Sequence, residues 1–447
     1  MFYAAAFAIF CLVCTVFAFT RHPIWGVYFY LATTYVFPPA RWWGYVFGDL
    51  RWAFLAAIVT VLAIVFHRGK LQAKPSWATS GPVVFLGLYI LWMGVQALWA
   101  LAPDEHVRGT TELVKCMLAM WFVYRAVDSK DRLQEMMLAH AMGCALLGIY
   151  AQFTGRSGGR LDGVGGPNLD DSNTLGMYLV TGAICASGLV MALKGWRRYV
   201  ALACLPLIVN GFVLANSRGG FLGLVAGGLV FAWCVSKQHR WVLWAFAFVG
   251  ALGLVAVVDQ TFIDRMFTIG DVASDSEDAD PSARSRLVIV KAQLEMFFHY
   301  PMGIGWRGTE VLSPEYMDER WLTATGVGDA TARASHSTFM TALTEQGIPG
   351  ALIYSGLVLW VIGAIVRARR MRHLPGGDPD LTTLAAALCG SILAILVSGT
   401  TADYLTKEVQ FWLYAGLVSV FWLSDTAVAA RLAQAEGRES TALPAPT

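Results

Sequence analysis

From its second residue the chain repeats one pattern, an apolar run of membrane-crossing length followed by a short polar joint. About 20 apolar residues are needed for a helix to cross the hydrocarbon of a bilayer. Candidate spans lie at 2–19, 24–40, 52–66, 82–101, 111–127, 133–152, 173–193, 199–216, 219–235, 241–258, 337–366, 381–399 and 408–425. The second holds Pro38 and Pro39, so the expected count is 12 or 13. In lipid every backbone polar group must be satisfied within the protein, which makes runs of this kind helical. The predicted fold is therefore all-α, a polytopic membrane protein. Only 14% of its residues are charged and 56% are hydrophobic, whereas soluble domains carry roughly 25% charged residues. That balance excludes a disordered chain, a nucleic-acid-binding protein and most soluble enzymes. All eight cysteines fall inside apolar runs and read as small apolar residues rather than as metal ligands or disulfides. Phe2–Phe19 reads as a first span and not as a cleavable signal.

Orientation follows from where lysine and arginine sit, because cytoplasmic loops are enriched in them. If 259–335 is outside, the alternate inner joints hold 15 basic residues, among them Arg68, Lys70, Lys74, Lys130, Arg132 and Arg367–Arg372. The short outer joints hold seven: Arg41, Arg51, Arg108, Arg156, Arg160, Arg218 and Lys407. Four regions are expected: an amino-terminal transmembrane bundle at 1–258, an outer loop domain at 259–336, carboxy-terminal transmembrane helices at 337–425, and a disordered inner tail at 426–447. The loop 259–335 carries 13 acidic and 7 basic residues. Unstructured connections this long are uncommon unless they serve a function. Within it, Leu287, Val290, Leu294, Phe297 and Phe298 recur at helical spacing, which predicts an amphipathic helix over 284–300 lying near the membrane surface.

Charged groups at membrane level are costly and point to function. Arg218, in Asn216-Ser217-Arg218-Gly219-Gly220, joins two apolar runs with no room for a hydrated loop. Its glycines would let backbone N–H groups approach a ligand, although a snorkelling arginine at a helix end has the same sequence. Arg284 and Arg286 open the loop helix, where a helix start and guanidinium forks both favour an anion. They could equally neutralise the acidic run Asp275, Glu277, Asp278 and Asp280, whose spacing is not that of an EF-hand. His336 precedes an apolar helix, with Ser335 or Ser337 as its cap. The stretch Glu345–Gly350 is expected to break that helix and leave 337–346 as a separate half beside the outer surface. Two further outer clusters, 165–173 and Asp403, Tyr404, Lys407 and Glu408, read as caps and loop.

These residues, in this order, resemble the O-antigen ligase / O-antigen polymerase superfamily of bacterial glycan enzymes. The resemblance rests on Ser217-Arg218-Gly219-Gly220, Ser285-Arg286-Leu287, Pro301-Met302-Gly303-Ile304-Gly305, Ser335-His336-Ser337-Thr338-Phe339 and Gly347-Ile348-Pro349-Gly350, and covers about 200–366. The Gly-Pro-Asn stretch within 165–173 looks similar to an upstream family feature, and Arg21–Val27 is similar to the start of O-glycosylation ligases associated with exosortase systems.

The resemblance implies a membrane-embedded glycosyltransferase of the GT-C type in the bacterial inner membrane, with its site facing the periplasm. Its donor would be a glycan on undecaprenyl pyrophosphate and its acceptor a sugar hydroxyl of lipid A–core; the other partners are membrane lipids. The implied reaction is metal-independent and inverting, and needs no cofactor. Family arginines at the positions of Arg218 and Arg286 hold the pyrophosphate, with Arg284 adjacent to Arg286 as a second candidate, and the histidine at the position of His336 is essential. Chemically, fixed cations suit a pyrophosphate leaving group, and a neutral histidine suits deprotonation of a hydroxyl. Glu345, Gln346 and Trp306 are further candidates for sugar contacts. An O-antigen polymerase or a protein O-oligosaccharyltransferase is the alternative within the class, and a polysaccharide exporter or flippase the alternative outside it.

Overall fold

Fourteen helices of eight residues or more carry the description of this chain, a computed structural model that covers residues 2–442 except 157–160, 167–168, 170, 246–249, 251–261, 264–265, 267–280 and 323–330. In chain order they are α1 (Phe2–Thr20), α2 (Ile24–Val36), α3 (Trp52–Phe66), α4 (Gly81–Gln96), α5 (Pro103–Ala126), α6 (Lys130–Thr154), α7 (Ser172–Ala192), α8 (Trp196–Ala215), α9 (Arg218–Cys234), α10 (Pro281–His299), α11 (Gly308–Tyr316), α12 (Gly347–Met371), α13 (Pro379–Ser398) and α14 (Glu408–Ala442). A bent stretch, Lys237–Ala245, follows α9. The all-helical architecture is as the apolar runs require.

Seven of the described helices are long and apolar enough to cross a membrane, or eight if α9 and the stretch bent from it by 116° form one broken span. The remainder of the 12 or 13 expected spans fall on short apolar helices (α3, α4), on the charge-bearing α5, on the 13-residue α2, and on residues outside the description. Prolines explain α2: the helix stops at Val36, Phe37 takes a left-handed conformation, and Pro38 opens a 3-10 turn. Helix α14 continues to Ala442, through most of the segment read as a tail.

Helices α7 and α13 are the inner pair, buried along almost their whole length. Helix α9 packs on α13 through glycines: a Cβ on Gly219 would lie 2.1 Å from Thr401 Oγ1, and one on Gly227 would lie 2.4 Å from the Gly390 carbonyl oxygen. These glycines therefore let α9 lie close against α13 and the turn that follows it.

The basic joints read as inner gather at one end of the bundle. Lys74 Nζ donates to the carbonyls of Tyr124 and Val127 at 2.6 and 2.8 Å, and Lys130 Nζ reaches Asp378 and Asp380 at 2.8 and 2.7 Å. Helix α13 leaves that end at Pro379 and finishes beside the Thr338 turn, whose N–H donates to Gly399 O at 2.8 Å. At about 1.5 Å per residue it spans roughly 30 Å between the two ends.

The apolar run 337–366 is broken, as expected, although not by Pro349. A helical turn at Thr338–Met340 passes into a π-turn at Thr341–Glu345, and α12 starts afresh at Gly347. Gly347 has φ +66°, and a Cβ there would sit 2.3 Å from the Met302 carbonyl carbon. The break is thus fitted against the Pro301–Gly305 loop, and Pro349 falls in the first turn of α12, where its missing N–H costs nothing. Gly347→Ala is expected to lower the melting temperature in detergent by several degrees, because backbone strain alone costs about 1–3 kcal/mol. Gly228→Ala, on open helix surface, should leave it unchanged. Equal melting temperatures for Gly347→Ala and wild type would contradict this account of the break.

Candidate active site

His336 is held by the segments on either side of it. Ser337 caps the following turn by accepting from Met340 N at 3.4 Å, so of the two candidate caps Ser337 is the one used. Ser335 Oγ donates to Ser337 O at 3.2 Å, and Thr341 Oγ1 lies 2.9 Å from Ser335 Oγ and 3.2 Å from Asp403 Oδ2. Tyr404 N donates to Thr338 Oγ1 at 2.8 Å. The turn between α13 and α14 is thereby stapled to the start of the broken helix.

Arg286 comes from the first turns of α10. That helix shows two faces. Ser285, Ile289, Ala292, Gln293 and Met296 face the protein, whereas Leu287, Leu294 and Phe298, picked out by the sequence pattern, are exposed. The inner face is tied to the π-turn, where Thr344 Oγ1 donates to Gln293 O at 3.1 Å. One rigid connection therefore relates Arg286 to His336.

Both line a cavity of about 500 Å³. Its wall comes from four separate segments: Asp162 with the start of α7 (Asp171–Thr174), Arg286, the strand-like stretch Arg333–His336, and Ala402, Asp403 and Lys407. The acidic side chains on the α7 side are largely engaged in capping. Asp171 accepts from Asn173 N and Thr174 N at 2.9 and 3.0 Å, and Asp162 accepts from Ser172 N at 3.2 Å. Burial raises the pKa of the Asp403 carboxyl above its ordinary value. Arg286, Arg333 and Lys407 bring positive charge to the cavity opposite Asp162, Asp171 and Asp403.

Arg218 is placed differently from the other candidates. It is 6% exposed and does not line the cavity. Its neighbour Ser217 caps α9 by accepting from Gly220 N at 3.1 Å and donates to Asn173 Oδ1 at 3.1 Å, which sets the start of α9 against the Asn173 wall. The side chain of Arg284 and the acidic run 275–280 lie outside the described residues. Arg333 and the lining role of the 162–174 and 402–407 segments were missed by sequence reasoning. For Arg333 the available signal was its position three residues before His336.

Glu345, Gln346 and Trp306 do not line the cavity either. Glu345 is 3% exposed, and its carbonyl accepts from Gly305 N at 2.8 Å and Gln96 Nε2 at 2.6 Å. Its carboxylate accepts from Arg307 N at 2.8 Å. Trp306 N donates to His106 Nδ1 at 2.8 Å, which makes the buried His106 a latch for this loop. His299 is exposed beside Tyr316.

With this geometry in view, one comparison bears on the chain: residues 202–355 match the family model described as O-Antigen ligase. The match spans α9, α10, the cavity segment with His336, and the break at Gly347. Among curated proteins none matches the chain.

Proposed function

We propose that this chain, whose residues 202–355 match the O-Antigen ligase family model, is a membrane glycan enzyme that transfers a glycan from undecaprenyl pyrophosphate to a sugar hydroxyl of lipid A–core. The observation that carries the reading is the pairing of His336 and Arg286 in one cavity built by separated segments of the chain. The cavity lies at the end of the bundle opposite the lysine- and arginine-rich joints. By the positive-inside rule this supports a periplasmic site in an inner-membrane protein. In this reading 1–258 and 337–425 are the membrane parts, 259–336 is the periplasmic cover, and the exposed stripe of α10 rests on lipid.

The chemistry runs as a single displacement. The acceptor hydroxyl oxygen attacks the anomeric carbon of the donor from the face opposite the pyrophosphate. The bond from that carbon to the pyrophosphate oxygen breaks, and its electron pair leaves with undecaprenyl pyrophosphate. His336, neutral at the start, takes the hydroxyl proton as the new bond forms. Negative charge grows on the departing oxygen, and Arg286 meets it with charge-assisted hydrogen bonds fixed before the reaction begins. Arg218, at the buried start of α9 beside the Asn173 wall, adds a second fixed cation for the leaving group. Inversion follows from the single displacement. The cations needed for leaving-group stabilisation are side chains in this scheme.

Transfer by purified protein, with a polyprenyl-pyrophosphate glycan and lipid A–core, is the test. His336→Ala should lower the rate by about 100-fold or more with unchanged melting temperature. Arg286→Gln should fall comparably, and Arg218→Gln should lose less than Arg286→Gln. Wild-type rates in His336→Ala would end the proposal. Activity only towards a second lipid-linked glycan or a protein hydroxyl would move the acceptor to the polymerase or protein O-oligosaccharyltransferase alternative.

A further inference from the structure

We infer that Arg333 is the second arm of the pyrophosphate clamp, paired with Arg286 across Ser285. The inference rests on the proposed donor and assigns a contact to a residue outside the sequence candidates.

The two guanidinium groups line the same cavity from different segments. Arg333 Nη2 donates to Ser285 Oγ at 2.9 Å, and Ser285 immediately precedes Arg286. The Arg333 backbone is fixed as well, its N–H donating to Ser313 Oγ at 2.8 Å. One edge of the Arg333 fork is therefore committed to α10, and the position of that edge also sets where Arg286 stands. The rest of the fork is not committed. Its Nε is buried and has no hydrogen-bond partner among the described residues. A buried guanidinium donor left unpaired costs free energy, and burial already opposes the charge on this group. No carboxylate is recorded in an ion pair with it among the described residues, in contrast to Arg307, which is held by Glu310 and Glu105. A cation placed this way is matched by an anionic ligand with several acceptor oxygens, and a diphosphate can accept from two guanidinium groups at once. Arg333 thus takes a contacting position in the cavity, whose lining does not include Arg218. It lies three residues before His336, so the group that holds the leaving pyrophosphate and the group that removes the proton share one short stretch of backbone.

Inorganic pyrophosphate is the probe, with binding to the purified full-length protein followed by calorimetry and by thermal shift. Arg333→Gln should weaken binding about 10- to 100-fold, the range for loss of a charged hydrogen-bond pair. Arg333→Lys keeps the charge without the fork, and should also weaken it. In transfer assays the same variants should raise the KM for the lipid-linked donor and leave the KM for the acceptor unchanged, a split that a merely structural role would not give. Wild-type pyrophosphate affinity in either variant, with Arg286→Gln impaired, would overturn the assignment of Arg333 alone. If wild-type protein bound no pyrophosphate, the donor reading itself would fall with it.

Discussion

A helix broken inside a membrane protein must place every freed backbone group, and this structure depends on how that is done at Glu345, Gln346 and Gly347. The Glu345 carbonyl takes Gly305 N and Gln96 Nε2, the Gln346 carbonyl takes Trp92 Nε1 at 2.7 Å, and Ile348 N donates to Pro301 O at 2.8 Å. The partners come from α4 and from the loop after α10. Satisfying the break therefore locks three otherwise independent parts together. Irregular backbone at membrane depth is tolerated only when protein surrounds it, and here the surrounding protein is the scaffold of the cavity.

Function follows from that lock. The short half-helix ahead of the break starts at Ser337, so His336 is presented at a capped helix entry rather than in the middle of a span. Helix α10 is tied to the same half-helix through Thr344 and carries Arg286. The backbones that carry the proposed base and Arg286 are thus related through the short side chain of Thr344. A fixed arrangement of this kind lets charge stabilise a transition state without reorganisation as the reaction proceeds.

Much of this was legible in the chain. Apolar runs gave the helical architecture because lipid leaves few other solutions, and Pro38 and Pro39 marked the shortened α2. The break near Gly347 and the cap before the His336 helix were visible as local chemistry. What was hidden depends on contacts between distant segments. Arg333 looks like any loop arginine until Ser285 is seen beside it. His106 and His336 are alike as residues, and only burial against Met93 and Trp306 separates the latch from the cavity histidine. The stripe of α10 was found by its period, but period alone does not say which face meets protein. Arg218 sits in a convincing motif, and in the fold it is buried at the start of α9, outside the cavity lining. Glu345 and Gln346, polar residues in an apolar run, read naturally as ligand contacts, and their backbone carbonyls are taken up at the break.

The central claim is that donor pyrophosphate and acceptor hydroxyl meet in the cavity lined by Arg286 and His336. The most direct measurement is an electron cryo-microscopy map of the purified protein with a non-transferable polyprenyl-pyrophosphate glycan bound. The account predicts phosphate density within hydrogen-bond distance of Arg286, with the first sugar turned towards His336. Pyrophosphate density at the opposite, lysine- and arginine-rich end of the bundle would contradict it.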